Sequence, residues 1–210
     1  MGEVSAVPSE TFFRLPEAKR EKLEQAAREV FSKVPYESAS LNQIIQRAGI
    51  PRGSFYMYFA DKEELFSYLM TGYAGTVSHA ITEQIRASGG DLFAGMLAFY
   101  DWTQREEREW EGRKEWRDFF DILRLNGKLR SEQLFPGRDC AAYMVELLAA
   151  VDTARLNLER PKDAARMMKI LVSLTVGMIC APPGEQNREE LIETFSILRR
   201  GMEKRDWKNR

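Results

Sequence analysis

Apolar residues recur at intervals of three and four along most of the chain, and polar residues fill the positions between them. Leu23, Ala26, Ala27, Val30 and Phe31 share one helical face, which predicts an amphipathic helix over 16–33, opened by Pro16 and stopped before Pro35. Ser40 and Gln43 have capping-box spacing, so a second helix runs over 41–48 with Leu41, Ile44, Ile45 and Ala48 inward. Gly49 suits a left-handed helix end, and Pro51 is tolerated in the first turn of a third short helix over 51–58. Phe55 and Phe59 lie four apart there and belong to the core. Asp61, with Glu64 three residues on, caps a fourth helix that Phe66, Leu69, Met70, Tyr73, Val77, Ala80 and Ile81 carry to about residue 87, where Gly89-Gly90 ends it.

The downstream pattern stays helical. Asp91 caps a fifth helix with Leu92, Phe93, Met96, Leu97 and Tyr100 inward, and 104–109 reads as its solvated tail. Trp116, Phe119, Phe120 and Leu123 mark a sixth, ended by a turn at Asn126-Gly127. Pro136-Gly137 precedes a seventh over 138–158; an eighth runs from 161 to before Pro182-Pro183-Gly184, and a ninth over 188–204. No segment reads as a strand. The expected fold is all-α, with a three-helix N-terminal domain over 1–62 and a larger helical domain over 63–210. Residues 1–14 read as a loose leader, with Phe12 and Phe13 tucked against the first helix.

Charge and composition narrow the chemistry. A formal net charge of -1 over 210 residues argues against a whole-surface nucleic-acid binder and leaves room for a local basic patch. Cys140 and Cys180 are too far apart for a metal-ligand motif and read as reduced cysteines of a cytoplasmic protein. Neither a signal pattern nor a membrane-length apolar run is present. His79 is the only histidine, and no nucleophile elbow, phosphate loop or dinucleotide fingerprint accompanies it, so neither catalysis nor a metal or cofactor site is expected.

The two short helices carry the most specific signal. Phe55 and Phe59 pack, which leaves Arg52, Ser54, Tyr56, Met57 and Tyr58 on the other faces of so short a helix. Exposed aromatics there fit a helix laid in a DNA major groove: Arg52 can pair with guanine, Ser54 can contact several bases and Met57 a thymine methyl. Gly53 permits close backbone approach, and Tyr56, Tyr58 and Lys62 suit phosphates.

Over 36–69 the chain resembles the DNA-binding domain of the TetR family of bacterial transcriptional regulators. The resemblance rests on Ala48-Gly49-Ile50-Pro51-Arg52-Gly53-Ser54-Phe55-Tyr56, Tyr58-Phe59 and Lys62-Glu63-Glu64-Leu65. Two positions depart from the family pattern. Tyr58 replaces a common histidine and can still donate to phosphate, while Ala39 replaces a hydroxyl residue, leaving Ser38 and Ser40 as the phosphate donors.

The resemblance implies a repressor bound as a homodimer to a near-palindromic double-stranded operator and released by a small apolar or amphipathic effector. It implies pairing through the last two helices, where Met168, Leu171, Val172, Thr175, Ile179, Leu191, Phe195, Leu198 and Met202 are the expected interface. An effector pocket is implied among the fifth to seventh helices, with candidates Phe93, Met96, Phe99, Tyr100, Trp102, Trp116, Phe119, Phe120, Tyr143, Met144 and Leu147, beside the small residues Gly95 and Ala98. A rival reading keeps the DNA unit but has the helical body dock a protein, as in a nucleoid or cell-division factor.

Overall fold

The computed structural model describes residues 8–109, 114–126, 139–182, 184 and 186–204. Among these residues the chain is all-helical, with ten α-helices. They are α1 (Glu10–Phe13), α2 (Glu17–Phe31), α3 (Leu41–Ala48), α4 (Arg52–Tyr58), α5 (Lys62–Ala87), α6 (Leu92–Glu109), α7 (Lys114–Leu125), α8 (Asp139–Ala149), α9 (Asp163–Cys180) and α10 (Gln186–Met202). Two 3-10 turns, Tyr36–Ser38 and Thr153–Arg155, and one isolated antiparallel bridge between Leu156 and Glu203 complete the described structure.

Two compact units divide the chain: Met1–Gly75 with Arg113–Cys140, and Thr76–Gly112 with Ala141–Arg210. A single cut at residue 62 does not describe them, because α7 packs on α2 and joins the N-terminal unit.

In the first unit α2 packs on α3 and α7, and α4 on α1 and α3. Its centre is aromatic: Phe12, Phe31, Phe55 and Phe59 are fully buried. The Phe12 ring lies 4.8 Å from that of Phe59 and 5.3 Å from that of Tyr68. From Pro8 onward the chain is therefore not the loose leader its polarity suggests. The Ser9 hydroxyl accepts from the Phe12 amide at 3.4 Å and donates to the Met57 carbonyl at 2.6 Å, and the Ser9 amide donates to Tyr58 at 3.0 Å. A capped single turn thus docks on α4 and seats Phe12 behind it.

In the second unit α6 packs on α9 and α10, which also pack on each other. Phe93 meets Phe195 edge-to-face at 5.7 Å. Asp91 caps α6 through the Ala94 amide at 2.9 Å and pairs with Arg199 and, at 3.7 Å, with Arg155. The backbones of α5 and α6 approach so closely that a Cβ on Gly95 would lie 2.6 Å from the Ile85 Cα. Gly95 is a helix-crossing residue and not a pocket wall. The seventh expected helix stops early, at Ala149, because Asp152 caps the 3-10 turn by accepting from the Ala154 amide at 3.1 Å.

The expected dimer face needs correction. Met168, Leu171, Thr175, Ile179, Leu191 and Phe195 are buried inside their own unit, where α9 and α10 meet α6; Val172, Leu198 and Met202 are half-buried. The side chains turned to solvent are Ile170, Leu174 and Ile197, exposed by 43%, 36% and 62%. A helix apolar on nearly every side must bury one stripe in its own protomer, and α6 has taken the stripe assigned to a partner.

Candidate nucleic-acid interface

The end of α3 is set by Gly49, whose φ of 66° is left-handed. Its amide donates to Gln46 at 3.1 Å and that of Ile50 to Ile45 at 3.3 Å, the pair of bonds that closes a glycine-terminated helix and turns the chain sharply. Pro51 follows as the extended N-cap of α4, so the second helix begins at Arg52. Two stacked rings, Phe55 and Phe59 at 5.8 Å, anchor α4 to the unit. The opposite face is open: Tyr56 and Met57 are 47% and 60% exposed, and Arg52 and Gly53 are exposed beside them. A Cβ at Gly53 would meet nothing within 4 Å, so neighbouring protein does not account for a glycine there. Ser54 and Tyr58 are half-buried at the edges of this face.

Arg52 is already oriented. Its guanidinium donates to the Asn42 side-chain oxygen on α3 and to the Tyr56 hydroxyl at 3.2 Å, and lies 5.7 Å from the Tyr56 ring centroid. Asn42 is a participant that pattern reading missed. It lies on the polar side of an amphipathic helix, where nothing distinguishes it from Gln43 or Gln46 before α4 is folded against α3.

Ser38 and Ser40 flank Ala39 between the 3-10 turn and α3. Ser38 is exposed, and the Ser40 hydroxyl accepts from the Gln43 amide at 3.5 Å as the cap of α3. Lys62 sits elsewhere than a free surface lysine would. Its ammonium donates to the carbonyls of Tyr36, Ala39 and Glu37 at 2.7, 3.0 and 3.5 Å and lies 4.4 Å from the Tyr36 ring centroid. Burial lowers its pKa, and the charge of Glu37 opposes that shift. Asp61 caps α5 by accepting from the Glu64 amide at 2.8 Å, while Glu64 reaches back to the Ala60 amide.

The effector candidates fall in different units. Phe93, Met96, Phe99, Tyr100 and Leu147 are buried and Trp102, Tyr143 and Met144 half-buried in the second unit; Phe119 and Phe120 are buried in the first. Trp116 belongs to α7, but its side chain lies outside the described residues. Trp102 stacks on Phe99 at 5.9 Å, and Phe119 lies 4.6 Å from Tyr73. On α5 the Thr82 hydroxyl is buried without a hydrogen-bond partner among the described residues. Neither a membrane-length apolar helix nor a cluster of three metal-ligating side chains occurs among the described residues.

Known proteins give this geometry a context. Residues 24–69 match the bacterial regulatory proteins of the tetR family. Over 71 residues the chain is 34% identical to an uncharacterized HTH-type transcriptional regulator, YdgC of Bacillus subtilis strain 168; the match covers 34% of this chain and 36% of that protein. By sequence, then, the chain spans little more than a third of its curated relative. The crystal structure of a TetR family transcriptional regulator from Chloroflexus aurantiacus J-10-FL is 27% identical, with a TM-score of 0.53, covering 95% of this chain and 100% of that one. NalD, the secondary repressor of the MexAB-OprM multidrug efflux pump in Pseudomonas aeruginosa, shares the fold at 18% identity, with a TM-score of 0.55 and coverage of 91% and 98%.

Proposed function

We propose that this chain, which belongs to the TetR family of bacterial regulatory proteins, is a sequence-specific DNA-binding transcriptional regulator without enzymatic activity. It acts in the cytoplasm as a homodimeric repressor on a near-palindromic operator. The observation that carries this reading is α4, a helix pinned by Phe55 and Phe59 that exposes Arg52, Gly53, Tyr56 and Met57. Such a face fits the major groove, where Arg52 reads guanine, Met57 touches a thymine methyl and Ser54 adjusts to several bases. Asn42 and Tyr56 hold the guanidinium before DNA arrives, which lowers the ordering cost of the contact.

Phosphates are gripped by Tyr56, Tyr58, Ser38 and Ser40. Lys62 contributes its charge at the start of α5, but its ammonium serves first to hold the turn that carries the two serines. Pairing of two copies uses the outward stripe of α9 and α10, in which Ile170, Leu174 and Ile197 stand beside Ser173, Gly177 and Gly201. A small apolar or amphipathic effector binds in the helical body and releases the operator. In the second unit Trp102, Tyr143 and Met144 are its candidate contacts and the Thr82 hydroxyl, which has no hydrogen-bond partner among the described residues, its candidate polar anchor.

The test is selection of duplexes from a random library by the full chain, followed by affinity measurements across salt. A recovered near-palindrome bound well above random duplex supports the reading. Enrichment of no sequence rejects it and favours the protein-docking alternative.

A further inference from the structure

From the buried contacts of Asn126, we infer that this residue, ninety positions from the turn it touches, is a positioning residue for DNA binding. The inference rests on the DNA-binding reading above. Asn126 follows the last turn of α7 and is 5% exposed. Its side-chain nitrogen donates to the Ile122 carbonyl at 2.8 Å, and its side-chain oxygen accepts from the Tyr36 amide at 2.8 Å. A backbone N–H at one end and a carbonyl at the other fix which way the amide points; asparagine carries its donor and its acceptor on separate atoms, so it can serve both partners from one short side chain.

Tyr36 opens the 3-10 turn that leads through Ser38 and Ser40 into α3. Its amide is held by Asn126 and its carbonyl by Lys62, at 2.8 and 2.7 Å. Its ring is clasped by Phe66 at 4.8 Å and Phe31 at 6.2 Å. The turn is therefore clamped between the first residue of α5 and the end of α7, and a shift of α7 along its axis pulls on the amide that sets where Ser38 and Ser40 stand relative to α4. These serines are phosphate donors in the proposed interface, whereas bases are read from α4. Loss of Asn126 should thus weaken grip on all sequences alike and leave base preference intact.

Asn126→Ala leaves a buried N–H without its acceptor; Asn126→Asp retains an acceptor for Tyr36 but turns a second oxygen, in place of the donor, toward the Ile122 carbonyl. Both are compared with wild-type full chain by amide exchange at Tyr36, and by affinity for the selected duplex and for a random one, corrected for active fraction and measured well below the unfolding midpoint. For Asn126→Ala we expect Tyr36 to exchange roughly tenfold faster relative to α2 amides, and both affinities to fall roughly tenfold at a constant ratio. Asn126→Asp should recover part of the Tyr36 protection and of the affinity, and Asn126→Ser, whose small hydroxyl can still accept from the Tyr36 amide without burying a charge, keeps the test decisive if the alanine variant does not fold. Faster exchange with unchanged affinity overturns the positioning role. So does an affinity loss confined to the selected duplex, since that would be base readout. Wild-type protein that binds no duplex rejects the DNA reading and this inference with it, and the unmutated chain alone reveals that outcome.

Discussion

Helices α4 and α9 both turn large apolar side chains to water, but the company those side chains keep is different. On α4 the exposed Tyr56 and Met57 stand with a guanidinium and a hydroxyl, and every large group carries or adjoins a hydrogen-bonding function. On α9 the exposed Ile170 and Leu174 are aliphatic and are separated by Ser173, with Gly177 beyond and the exposed charges of Arg166 and Lys169 confined to the N-terminal side of Ile170. The first kind of surface suits a wet, polar, charged groove. The second suits a like surface of small and aliphatic residues, where helices approach closely and exclude water. A DNA-facing helix and a subunit-facing helix can thus be told apart by what accompanies the apolar exposure, and the amount exposed does not decide the matter.

The largest effect should come from attacking the aliphatic face. Leu174→Glu places a charge where the second copy is proposed to sit, at a side chain that is 36% exposed in its own protomer. Light scattering should show a dimer become a monomer, and operator affinity should fall by about 10²-fold or more as two linked half-sites become independent. Phe195→Ala is the contrast. It hollows the contact with Phe93 inside one protomer and should cost about 3–5 kcal/mol in urea unfolding. Equal loss of fold in both variants would erase the distinction between inner and outer stripes.

On α4 the corresponding change is Arg52→Ala. Removing the guanidinium should cost about 1–3 kcal/mol at the preferred operator and blunt selectivity at one base pair, with the fold intact because Arg52 is exposed. Unchanged selectivity would move base reading away from this residue. Asn42→Ala should act in the same direction but more weakly, since it frees Arg52 without removing it.

These two helices also mark what sequence pattern can reveal. α4 has seven residues and is anchored by Phe55 within it and by Phe59 at its C-cap; once those point inward, Arg52, Gly53, Tyr56 and Met57 are left on the open side. Its glycine-closed entry, the capping serine of α3 and the Asp61 cap are local chemistry written in adjacent residues. α9 has eighteen residues with apolar groups almost all round, so two stripes compete. One runs through Met168, Leu171, Thr175 and Ile179 and the other through Ile170, Leu174 and Gly177. The second also carries Arg166, Lys169 and Ser173, all exposed, and those polar marks were the available sign of the outward face. Contacts such as Asn126 to Tyr36 lie beyond pattern altogether, because no periodicity links residues ninety positions apart. The docking of Phe12 was legible only in part, from two adjacent aromatics in a polar segment, and the Ser9 cap that fixes it carries no periodic signal.

A smaller effect separates packing from ligand space in the helical body. Gly95→Ala would set a methyl group 2.6 Å from the Ile85 Cα, so α5 and α6 must part. Thermal or urea unfolding should register about 1–3 kcal/mol of destabilisation. If the variant is instead as stable as wild type and has lost only its effector response, Gly95 lines a cavity after all, and the close crossing does not persist in solution.

The smallest effect concerns the aromatic platform behind α4 and depends on pH. Tyr68 packs 5.8 Å from Phe59 and 5.3 Å from Phe12, and its hydroxyl donates to Glu24 at 2.8 Å. Burial raises its pKa most, and the hydrogen bond to Glu24 and that carboxylate's charge raise it further. The folded chain therefore keeps this proton where the unfolded phenol, with a pKa of about 10, gives it up. Above that pH the unfolded state binds fewer protons, so stability falls as pH rises toward the folded pKa; below it the contribution is complete. Tyr68→Phe keeps the ring and removes the titration. It should cost about 0.5–1.5 kcal/mol near neutral pH for the lost hydrogen bond, and the gap to wild type should narrow as pH climbs past about 10. A gap that stays constant from neutral to strongly alkaline pH would mean that the phenol titrates alike in both states and that the ring, without its hydroxyl bond, is what Tyr68 contributes to the support of α4.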